Sequence, residues 1–395
     1  MMEVLVYGGW FGSGNLGDEA ILIGVRKILE KHLPEARLTA LSIDPDYTER
    51  TCGVEAVKLE SPRTVIKNRR AYFDLFKEAE ACIVTGGTPF YDYGHLSRII
   101  HMGLPSIKEK KLICFGVGSK PITSLKGREI TRRILRHSLS ISTRDQPSKD
   151  ILLGMLRHSS NRIPPLVNLT GDSGLFLDTS IRTDRKGNSV LFCPRRLMGA
   201  NKKLYHEKID SQAISRVRHM QAIAADRLVE TGYDVVFMPF HAVYPDNDLE
   251  EIRVIRNLMK RESQVAPRPS SPETGLRLIS ESAMVVGMRL HSLVLAASCG
   301  VPFTSIDYDI KIGGFMSHMG LDGLSCSPEG GLRGLAEASE SIMEDRRVIS
   351  RKIRGRVTEV RRLISDDADR LADAVKKLVD QQSGTGHPLQ GTRIR

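Results

Sequence analysis

Short apolar segments alternate with longer amphipathic segments from the first residues of the chain. The segment MEVLVY (2–7) is followed by the helical pattern DEAILIGVRKILEKHL (18–33) and then by ARLTALSI (36–43). Similar strand-like segments recur along the chain, at ACIVTGG, KLICFGVG and LSISTRD in the first half and at SVLFCP, YDVVFMPF, SAMVVG and VPFTSID in the second. Strands that alternate with helices in this way predict an α/β fold with mostly parallel sheets.

A break in this pattern divides the chain. The segment 157–188, RHSSNRIPPLVNLTGDSGLFLDTSIRTDRKGN, is rich in Pro, Ser, Asn and Gly, which is typical of a linker or a crossing between domains. We therefore predict two Rossmann-like domains that face each other across a cleft, an N-terminal one over 1–180 and a C-terminal one over 181–345. Helical spacing of apolar residues from Ile349 onward predicts a long amphipathic helix over 346–380, followed by a disordered tail over 381–395.

Composition narrows the choice of partners. The net charge of +11 favours an anionic ligand, nucleic acid or an anionic membrane surface, but an aromatic content of 5% argues against nucleic acid, because bases need stacking platforms. Eight basic residues and one acidic residue occupy 346–362, which fits either peripheral membrane contact or the solvated face of a packed helix. The six cysteines are scattered without a C-x-x-C pair, so we expect reduced thiols, no metal site and a cytoplasmic protein, with the inner membrane surface as an alternative location.

The loop after the first strand contains a G-x-G-x-x-G pattern at Gly12, Gly14 and Gly17. Such a pattern is found in dinucleotide-binding loops, and Asp44 would then meet the ribose. However, Asp18 and its neighbour in the first helical turn would offset the dipole that attracts a phosphate. Two other interpretations stay open. In one, Asn15 and the glycine amides meet a polar ligand while Asp18 caps the helix, and in the other the loop is a tight turn without a ligand.

The segment AMVVGMRLHSLVLAASCGVPFTSIDYDIK (283–311) is the most informative in the chain. It predicts strand, helix and strand, with Arg289 and His291 in the first helical turn at the carboxyl edge of a parallel sheet, where α/β folds bind anions. Alternatively, Arg289 pairs with a nearby carboxylate and His291 packs inside. Further polar residues follow other predicted strands: Arg195, Arg196, His241, Asp307, Asp309 and Lys311.

Seven segments in order along about 300 residues resemble the polysaccharide pyruvyl transferases, which ketalate sugars with phosphoenolpyruvate. They are GNLGDEAIL (14–22), VTGGTPFYD (84–92), FGVGSKP (115–121), STRDQPS (142–148), CPRR (193–196), FMPFH (237–241) and GMRLHSLVLAASCGVPFTSIDYDIK (287–311). The resemblance implies a two-domain fold similar to the GT-B glycosyltransferases, with the active site in the interdomain cleft. It also implies phosphoenolpyruvate and a glycan or lipid-linked saccharide as substrates, and no cofactor.

Ketal formation needs a general acid near neutral pH, cations for the donor and a carboxylate that accepts a hydroxyl proton. We expect His291 to be the acid, Arg289 and Arg195 to bind the donor, and Asp92 to act as the base. The expected substrate-binding residues are Gly14, Asn15, Gly17, Gly86, Gly87, His241 and Lys311. Two alternatives remain, a GT-B glycosyltransferase that uses a nucleotide sugar and a non-catalytic protein that binds a glycan or a nucleotide.

Overall fold

The computed structural model describes residues 2–67, 69–91, 112–157, 165–177, 187–197, 211–241 and 247–383. The first half of the chain forms a parallel sheet with the strand order β3-β2-β1-β4-β5-β6-β7. Its strands are β1 Met2–Tyr7, β2 Ala36–Ser42, β3 Glu55–Lys58, β4 Ala81–Val84, β5 Leu112–Val117, β6 Ser138–Thr143 and β7 Val167–Leu169.

The second half forms another parallel sheet, ordered β10-β9-β8-β11-β12-β13. Its strands are β8 Ser189–Cys193, β9 Asp234–Phe237, β10 Gln264–Val265, β11 Met284–Gly287, β12 Phe303–Ile306 and β13 Ser325–Cys326. Both orders are those of doubly wound sheets, and the prediction of two Rossmann-like units is confirmed.

Helices connect the strands and cover the sheets. The helices of the first half are α1 Leu16–His32, α2 Pro45–Cys52, α3 Pro62–Lys67, α4 Arg69–Glu78, α5 Leu125–His137 and α6 Gln146–Arg157. Those of the second half are α7 Ser211–Glu230, α8 Asp248–Leu258, α9 Pro272–Ser280, α10 Leu290–Cys299, α11 Ile310–His318, α12 Gly334–Glu344 and α13 Arg346–Ser383. The central strands are buried throughout, β4, β5, β11 and β12 along their whole length, which explains their continuous apolar sequences.

The segment predicted as a linker carries ordered, buried structure. It supplies β7 and a short 3-10 helix, Ser173–Phe176, which packs against both α1 and α10. The approach to α1 is so close that a Cβ on Gly24 would lie 2.0 Å from the carbonyl oxygen of Ser173. A glycine is therefore required at position 24, and the crossing segment becomes part of the core between the two sheets.

The C-terminal helix α13 returns to the first half of the chain. Its apolar face is buried against α1, α10 and the 3-10 helix, and the guanidinium of Arg361 donates to the carbonyl of Leu175 at 2.7 and 2.9 Å. The helix runs from Arg346 to Ser383, three residues past its predicted end. The predicted tail beyond Ser383 lies outside the described residues.

Part of the basic run in α13 has internal partners. Arg356 donates from Nε to the carbonyl of His318 at the end of α11 (2.7 Å), and the side chain of Arg354 lies against Gly300, the C-cap of α10. Cations near helix C-termini are stabilised by the unpaired carbonyls and by the helix dipole. These contacts favour the packed-helix interpretation of the run, while contact with a membrane stays a prediction.

Candidate active site

Each sheet has a point where the strand order reverses, between β1 and β4 in the first and between β8 and β11 in the second. Ligands of doubly wound folds bind in the crevice outside the carboxyl ends of such strands. Here the loop 8–15 follows β1, residues 85–91 follow β4, and Arg289 and His291 follow β11. The 3-10 helix of the crossing segment packs on α1 and α10, the helices that begin at these two points.

His291 is in the first turn of α10, as predicted, and faces a buried carboxylate. Its Nε2 lies 3.5 Å from Oδ2 of Asp172, and the side chains are 12% and 2% exposed. This distance is long for a hydrogen bond but close enough for an ion pair when the imidazole is protonated. Asp172 is itself fixed, because its Oδ1 caps the 3-10 helix by accepting the N–H of Gly174 at 2.9 Å.

Arg144, the residue after β6, reaches the same carboxylate. Its Nη1 lies 3.4 Å from Oδ2 of Asp172, and its Nε donates to Oδ2 of Asp145 at 3.1 Å. Its side chain is only 3% exposed. A Cβ on Gly87 would lie 3.6 Å from both Nη1 of Arg144 and Oδ1 of Asp18, and 3.8 Å from Cε1 of His291. We call His291, Asp172, Arg144 and Asp18 the His291 cluster, and the missing side chain of Gly87 leaves space at its centre.

The two carboxylates of the His291 cluster have opposite pKa shifts. Burial raises the pKa of Asp18, and this exceeds the opposing attraction of His291 and Arg144 and the hydrogen bonds from backbone N–H groups. Burial also acts to raise the pKa of Asp172. The opposing effects of His291, Arg144 and the Gly174 N–H are larger together, and they lower this pKa to about 2. Asp172 is therefore the permanent anion beside the imidazole, and Asp18 is the more readily protonated group.

Asn15 rather than Asp18 caps α1, which corrects the interpretation of the opening loop. Oδ1 of Asn15 accepts the N–H of Gly17 (3.1 Å), while its Nδ2 donates to Oδ2 of Asp18 (2.7 Å). Asp18 also accepts the backbone N–H groups of Trp10 and Gly87. Its carboxylate thus ties together the loops after β1 and β4. Asp44, the expected ribose ligand of a dinucleotide, instead caps α2 by accepting the N–H of Tyr47 at 3.1 Å.

The predicted glycines serve three different purposes. Gly14 has a φ of 74°, and its carbonyl accepts a hydrogen bond from Nη2 of Arg268 (2.6 Å), which comes from the second half of the chain. Gly17 makes room for the imidazole, because a Cβ there would lie 2.1 Å from Nδ1 of His291. Gly86 has a φ of 124°, and a Cβ at this position would lie 2.7 Å from the backbone of Gly9. A glycine here therefore lets the two loops come close together.

Arg289 pairs with a nearby carboxylate, as the alternative interpretation of its sequence segment expected. Its Nη2 lies 2.5 Å from Oδ1 of Asp248, and its Nε lies 3.2 Å from both carboxylate oxygens. Asp248 is fully buried and also accepts the backbone N–H groups of Phe240 and His241, at 3.0 and 2.9 Å. This carboxylate therefore joins Arg289 to the strand end that carries His241, and it neutralises the guanidinium.

Arg195 reaches in the opposite direction along the second sheet. Its Nη1 donates to the hydroxyl of Tyr308 (2.8 Å), and that hydroxyl donates to the carbonyl of Met288 (2.9 Å). The guanidinium carbon also lies 5.6 Å from the centroid of the Tyr308 ring. Because β8 and β11 are neighbours, Arg195 and Arg289 follow adjacent strand ends. The guanidinium of Arg195 contacts Tyr308, which follows β12, whereas that of Arg289 contacts Asp248, which is bound to the segment after β9.

Lys311 lies at a contact between the two halves of the chain. Its Nζ is 3.5 Å from Oδ2 of Asp309, and Nζ of Lys120, from the first half, is 2.7 Å from the same oxygen. The side chain of Asp309 is 1% exposed and also caps α11. Asp92, the expected base, lies outside the described residues.

Three members of the His291 cluster were not predicted as site residues. Asp18 was interpreted as a helix cap, and Asp172 fell within the segment taken as a linker. Arg144 belongs to STRDQPS, one of the segments that carry the family resemblance, so that segment held a signal. No comparable signal marks Asp172, since its partner His291 is more than a hundred residues away in sequence.

Comparison with known families matches residues 15–310 to the model of the polysaccharide pyruvyl transferases, which covers most of the chain. The chain belongs to the polysaccharide pyruvyl transferase family. The matched range includes all four members of the His291 cluster. Family and fold together indicate a transferase that acts on glycans.

Solved structures identify the fold as GT-B. A UDP-GlcNAc 2-epimerase from Neisseria meningitidis bound to UDP-GlcNAc matches with a TM-score of 0.57 and 14% identity, over 97% of this chain and 100% of that one. An α,α-trehalose 6-phosphate synthase from Burkholderia multivorans matches with a TM-score of 0.57 and 11% identity, over 100% of both chains. At these identities the likeness concerns the fold alone. Among curated proteins, the sequence comparison finds no match.

Two properties of the described residues bear on membranes and metals. None of the helices in these ranges is both long enough and apolar enough to cross a bilayer. Within the same ranges, no three or more His, Cys, Asp or Glu side chains gather where they could hold a metal ion.

Proposed function

We propose that this protein transfers a pyruvyl group from phosphoenolpyruvate to two hydroxyls of a sugar in a cell-surface glycan or its precursor. The product is a cyclic ketal, and phosphate is released. The observation that carries the proposal is the imidazole of His291, held against the buried carboxylate of Asp172 at the interdomain crevice. Membership of the family supports the choice of donor.

The reaction requires a proton at carbon. Protonation of the methylene carbon of phosphoenolpyruvate produces a methyl group and a cationic centre at C2, to which the first sugar hydroxyl adds. Expulsion of phosphate and addition of the second hydroxyl then close the ketal. Of the two hydroxyl protons released, one replaces the proton given to the methyl group and the other leaves with phosphate, so the residues of the site end unchanged.

His291 is the general acid in this proposal. Asp172 stabilises the imidazolium, because its pKa of about 2 keeps it ionised throughout the neutral range. Arg144 contacts the same oxygen of Asp172 and so limits the negative charge that the imidazole experiences. Asp172 is therefore shared between the imidazole and the guanidinium.

The anionic groups of the donor bind on the side of the second sheet. Arg195 stays the expected donor cation, and its described contact is with the neutral hydroxyl of Tyr308, whereas Arg289 pairs with the carboxylate of Asp248. The first turn of α10 adds backbone N–H groups, since its N-cap makes no side-chain cap. We assign Arg289 the positioning of the strand ends, and we retain Lys311 and His241 as donor-side candidates.

A carboxylate must accept the proton of the attacking hydroxyl. Asp18 is a described candidate in the first half, but it already accepts hydrogen bonds from Asn15, Trp10 and Gly87. Burial raises the pKa of Asp18, which would suit a base, but we assign Asp18 the joining of the two loops because three donors already engage its carboxylate. The base therefore remains Asp92, a choice that depends on the sequence alone.

The decisive experiment is a donor assay read by mass spectrometry. Purified protein is incubated with phosphoenolpyruvate and a panel of galactosides and N-acetylmannosamine-containing glycans. Release of phosphate together with the mass of one pyruvyl group on the acceptor is expected. Turnover of UDP-sugars in place of phosphoenolpyruvate would instead favour a nucleotide-sugar glycosyltransferase, the alternative suggested by fold neighbours such as the epimerase bound to UDP-GlcNAc.

Variants test the assignment of His291. His291→Ala should lower kcat by roughly 10²- to 10⁴-fold, the usual contribution of a general acid. His137→Ala is the matched control, because that exposed imidazole contacts only the carbonyl of Arg133 among the contacts described, and it should keep full activity. Full transfer by His291→Ala would refute the assignment, and no turnover of any donor by the wild type would favour a binding protein.

A further inference from the structure

Helix α5 presents an exposed leucine together with a basic surface. Leu125, its first residue, is 83% exposed, the largest exposed fraction among the big apolar side chains of the described residues. The helix also carries one acidic and five basic residues: Glu129, Lys126, Arg128, Arg132, Arg133 and Arg136. A single exposed leucine is ordinary in a globular protein. A leucine at the end of a cationic helix is instead typical of a segment that contacts an anionic interface.

The basic side chains form one outward surface. Lys126, Glu129, Arg133 and Arg136 follow Leu125 by one, four, eight and eleven residues, and all of these positions are exposed. This spacing places them on a single side of a helix, with the buried residues of α5 on the other side: Gly127, Thr131, Ile134 and Leu135. We call Leu125, Lys126, Arg133 and Arg136 the α5 face.

The carboxylate of Glu129 does not cancel this charge. The guanidinium of Arg132 pairs with Glu129, and its Nε donates to the carbonyl of Met155 in α6 at 3.1 Å. Arg132 is thereby drawn to the flank of the helix, where it neutralises the carboxylate. The remaining cations leave the α5 face with a net positive charge.

A second exposed leucine follows the other end of the helix. Leu139, two residues beyond His137, is 47% exposed. It lines a surface groove with two apolar and three charged residues of α13: Ala374, Leu378, Arg370, Asp373 and Lys377. Because the 13 residues of α5 span about 20 Å, exposed leucines stand at the start of the helix and just past its end, that distance apart.

We propose that the α5 face binds the surface of an anionic membrane, with the helix parallel to the bilayer plane. Anionic headgroups attract Lys and Arg side chains, and the neighbouring leucines enter the interfacial region. Nucleic acid fits the same charge less well, because α5 has no Phe, Tyr or Trp on which bases would stack. The basic run of α13 (346–362) is the rival surface, but Arg356 and Arg361 already donate to backbone carbonyls.

The α5 face begins beside the crevice. Because α5 follows β5, its first residue lies near the carboxyl edge of the first sheet. In the connecting segment, five residues before Leu125, Lys120 pairs with Asp309 of the second half at 2.7 Å. A membrane bound along the α5 face would thus lie close to the crevice, and a saccharide carried on a lipid would reach the site from the bilayer surface. Only this last step rests on the proposed function.

Vesicle co-sedimentation without donor or acceptor tests the membrane contact. We expect the wild type to bind vesicles of phosphatidylcholine with phosphatidylglycerol but not vesicles of phosphatidylcholine alone, and added salt should weaken the binding. The triple variant Lys126→Gln/Arg133→Gln/Arg136→Gln should lower the partition coefficient about 100-fold, because each basic residue near an anionic surface contributes about fivefold. Leu125→Ser should lower it about tenfold.

A second triple variant is the matched control. Arg347→Gln/Arg351→Gln/Lys352→Gln removes the same charge from exposed positions of α13, the rival surface, and should retain most of the vesicle binding. An equal loss in both triple variants, or binding that is indifferent to phosphatidylglycerol, would overturn the proposal, as would a preference for an RNA oligonucleotide over the vesicles. Because all six positions are exposed, urea unfolding of both variants should match that of the wild type.

The donor assay separates this inference from the proposed function. With a water-soluble acceptor, the α5 triple variant should transfer the pyruvyl group as fast as the wild type does. Pyruvyl transfer without vesicle binding overturns the membrane contact and leaves the function standing. Vesicle binding through the α5 face without pyruvyl transfer supports the membrane contact and overturns the function.

Discussion

Replacing Gly17 by alanine tests the geometry of the His291 cluster most directly. A Cβ at this position would lie 2.1 Å from Nδ1 and 2.6 Å from Cγ of His291. Ordinary contact begins near about 3.4 Å, so the imidazole must retreat by more than about 1 Å. The Nε2–Oδ2 separation from Asp172, already 3.5 Å, would not survive that movement.

Two opposing effects set the expected magnitude for stability. Alanine is favoured over glycine in a helix by up to about 1 kcal/mol, and by less in the first turn, where Gly17 lies. Forcing an extra carbon into a packed site costs typically 1–3 kcal/mol. We therefore expect Gly17→Ala to lower the free energy of unfolding by about 1 kcal/mol, and a misplaced acid to lower kcat about 100-fold.

Urea titration and the donor assay measure the two effects separately, and a second variant isolates the clash. Gly154→Ala, in α6, is the matched control, because nothing lies within 4 Å of its Cβ position. It should stabilise the protein without changing kcat. In a His291→Ala background the clash disappears, so Gly17→Ala should become neutral or stabilising. If Gly17→Ala instead behaves like Gly154→Ala in the wild-type background, the placement of His291 against α1 is wrong.

Three further outcomes follow from the buried charges. The pKa of Asp172 is lowered, so the stability it contributes is complete above its ordinary pKa of 3.8 and is lost as the pH falls towards about 2. Asp172→Asn should therefore remove roughly 2 kcal/mol of pH-dependent unfolding free energy in acid titrations. Burial raises the pKa of Glu19 to about 7, so the wild type should lose stability as the pH rises from 4.5 through 7, and Glu19→Gln should flatten that decline in thermal melts. Arg289→Met removes the guanidinium from the buried carboxylate of Asp248 and should cost about 3 kcal/mol in urea unfolding, whereas Arg196→Met at a partly exposed pair should cost less than about 1 kcal/mol.

The sequence predicted the central strands well and missed the four at the edges. The missed strands are β3, β7, β10 and β13, which are the outermost strands of the two sheets. A central strand of a parallel sheet is buried on both faces and therefore reads as a continuous apolar run. β3 (EAVK) and β10 (QV) are largely exposed and only four and two residues long, so no such run marks them.

The site was predictable only where local structure determines it. Arg289 and His291 could be placed because a strand, a tight turn and a helix follow one another within a few residues. Asn15 caps α1 because Asp18 is oriented inward. That orientation depends on packing against the second half of the chain, which local sequence does not show. Likewise, the partner of Arg289 is the first residue of α8, and an acidic helix start alone does not indicate whether it faces solvent or a buried guanidinium.

The charge balance of the His291 cluster constrains where the donor binds. With a protonated imidazole, the cations His291 and Arg144 face the carboxylates Asp172 and Asp145, while burial raises the pKa of the third carboxylate, Asp18, so the cluster offers a small anion little net attraction. Under the proposed function, attraction for the donor would come from outside the cluster, from Arg195 and the first turn of α10. The cluster would then meet the methylene end of phosphoenolpyruvate, with its phosphate and carboxylate against the second sheet.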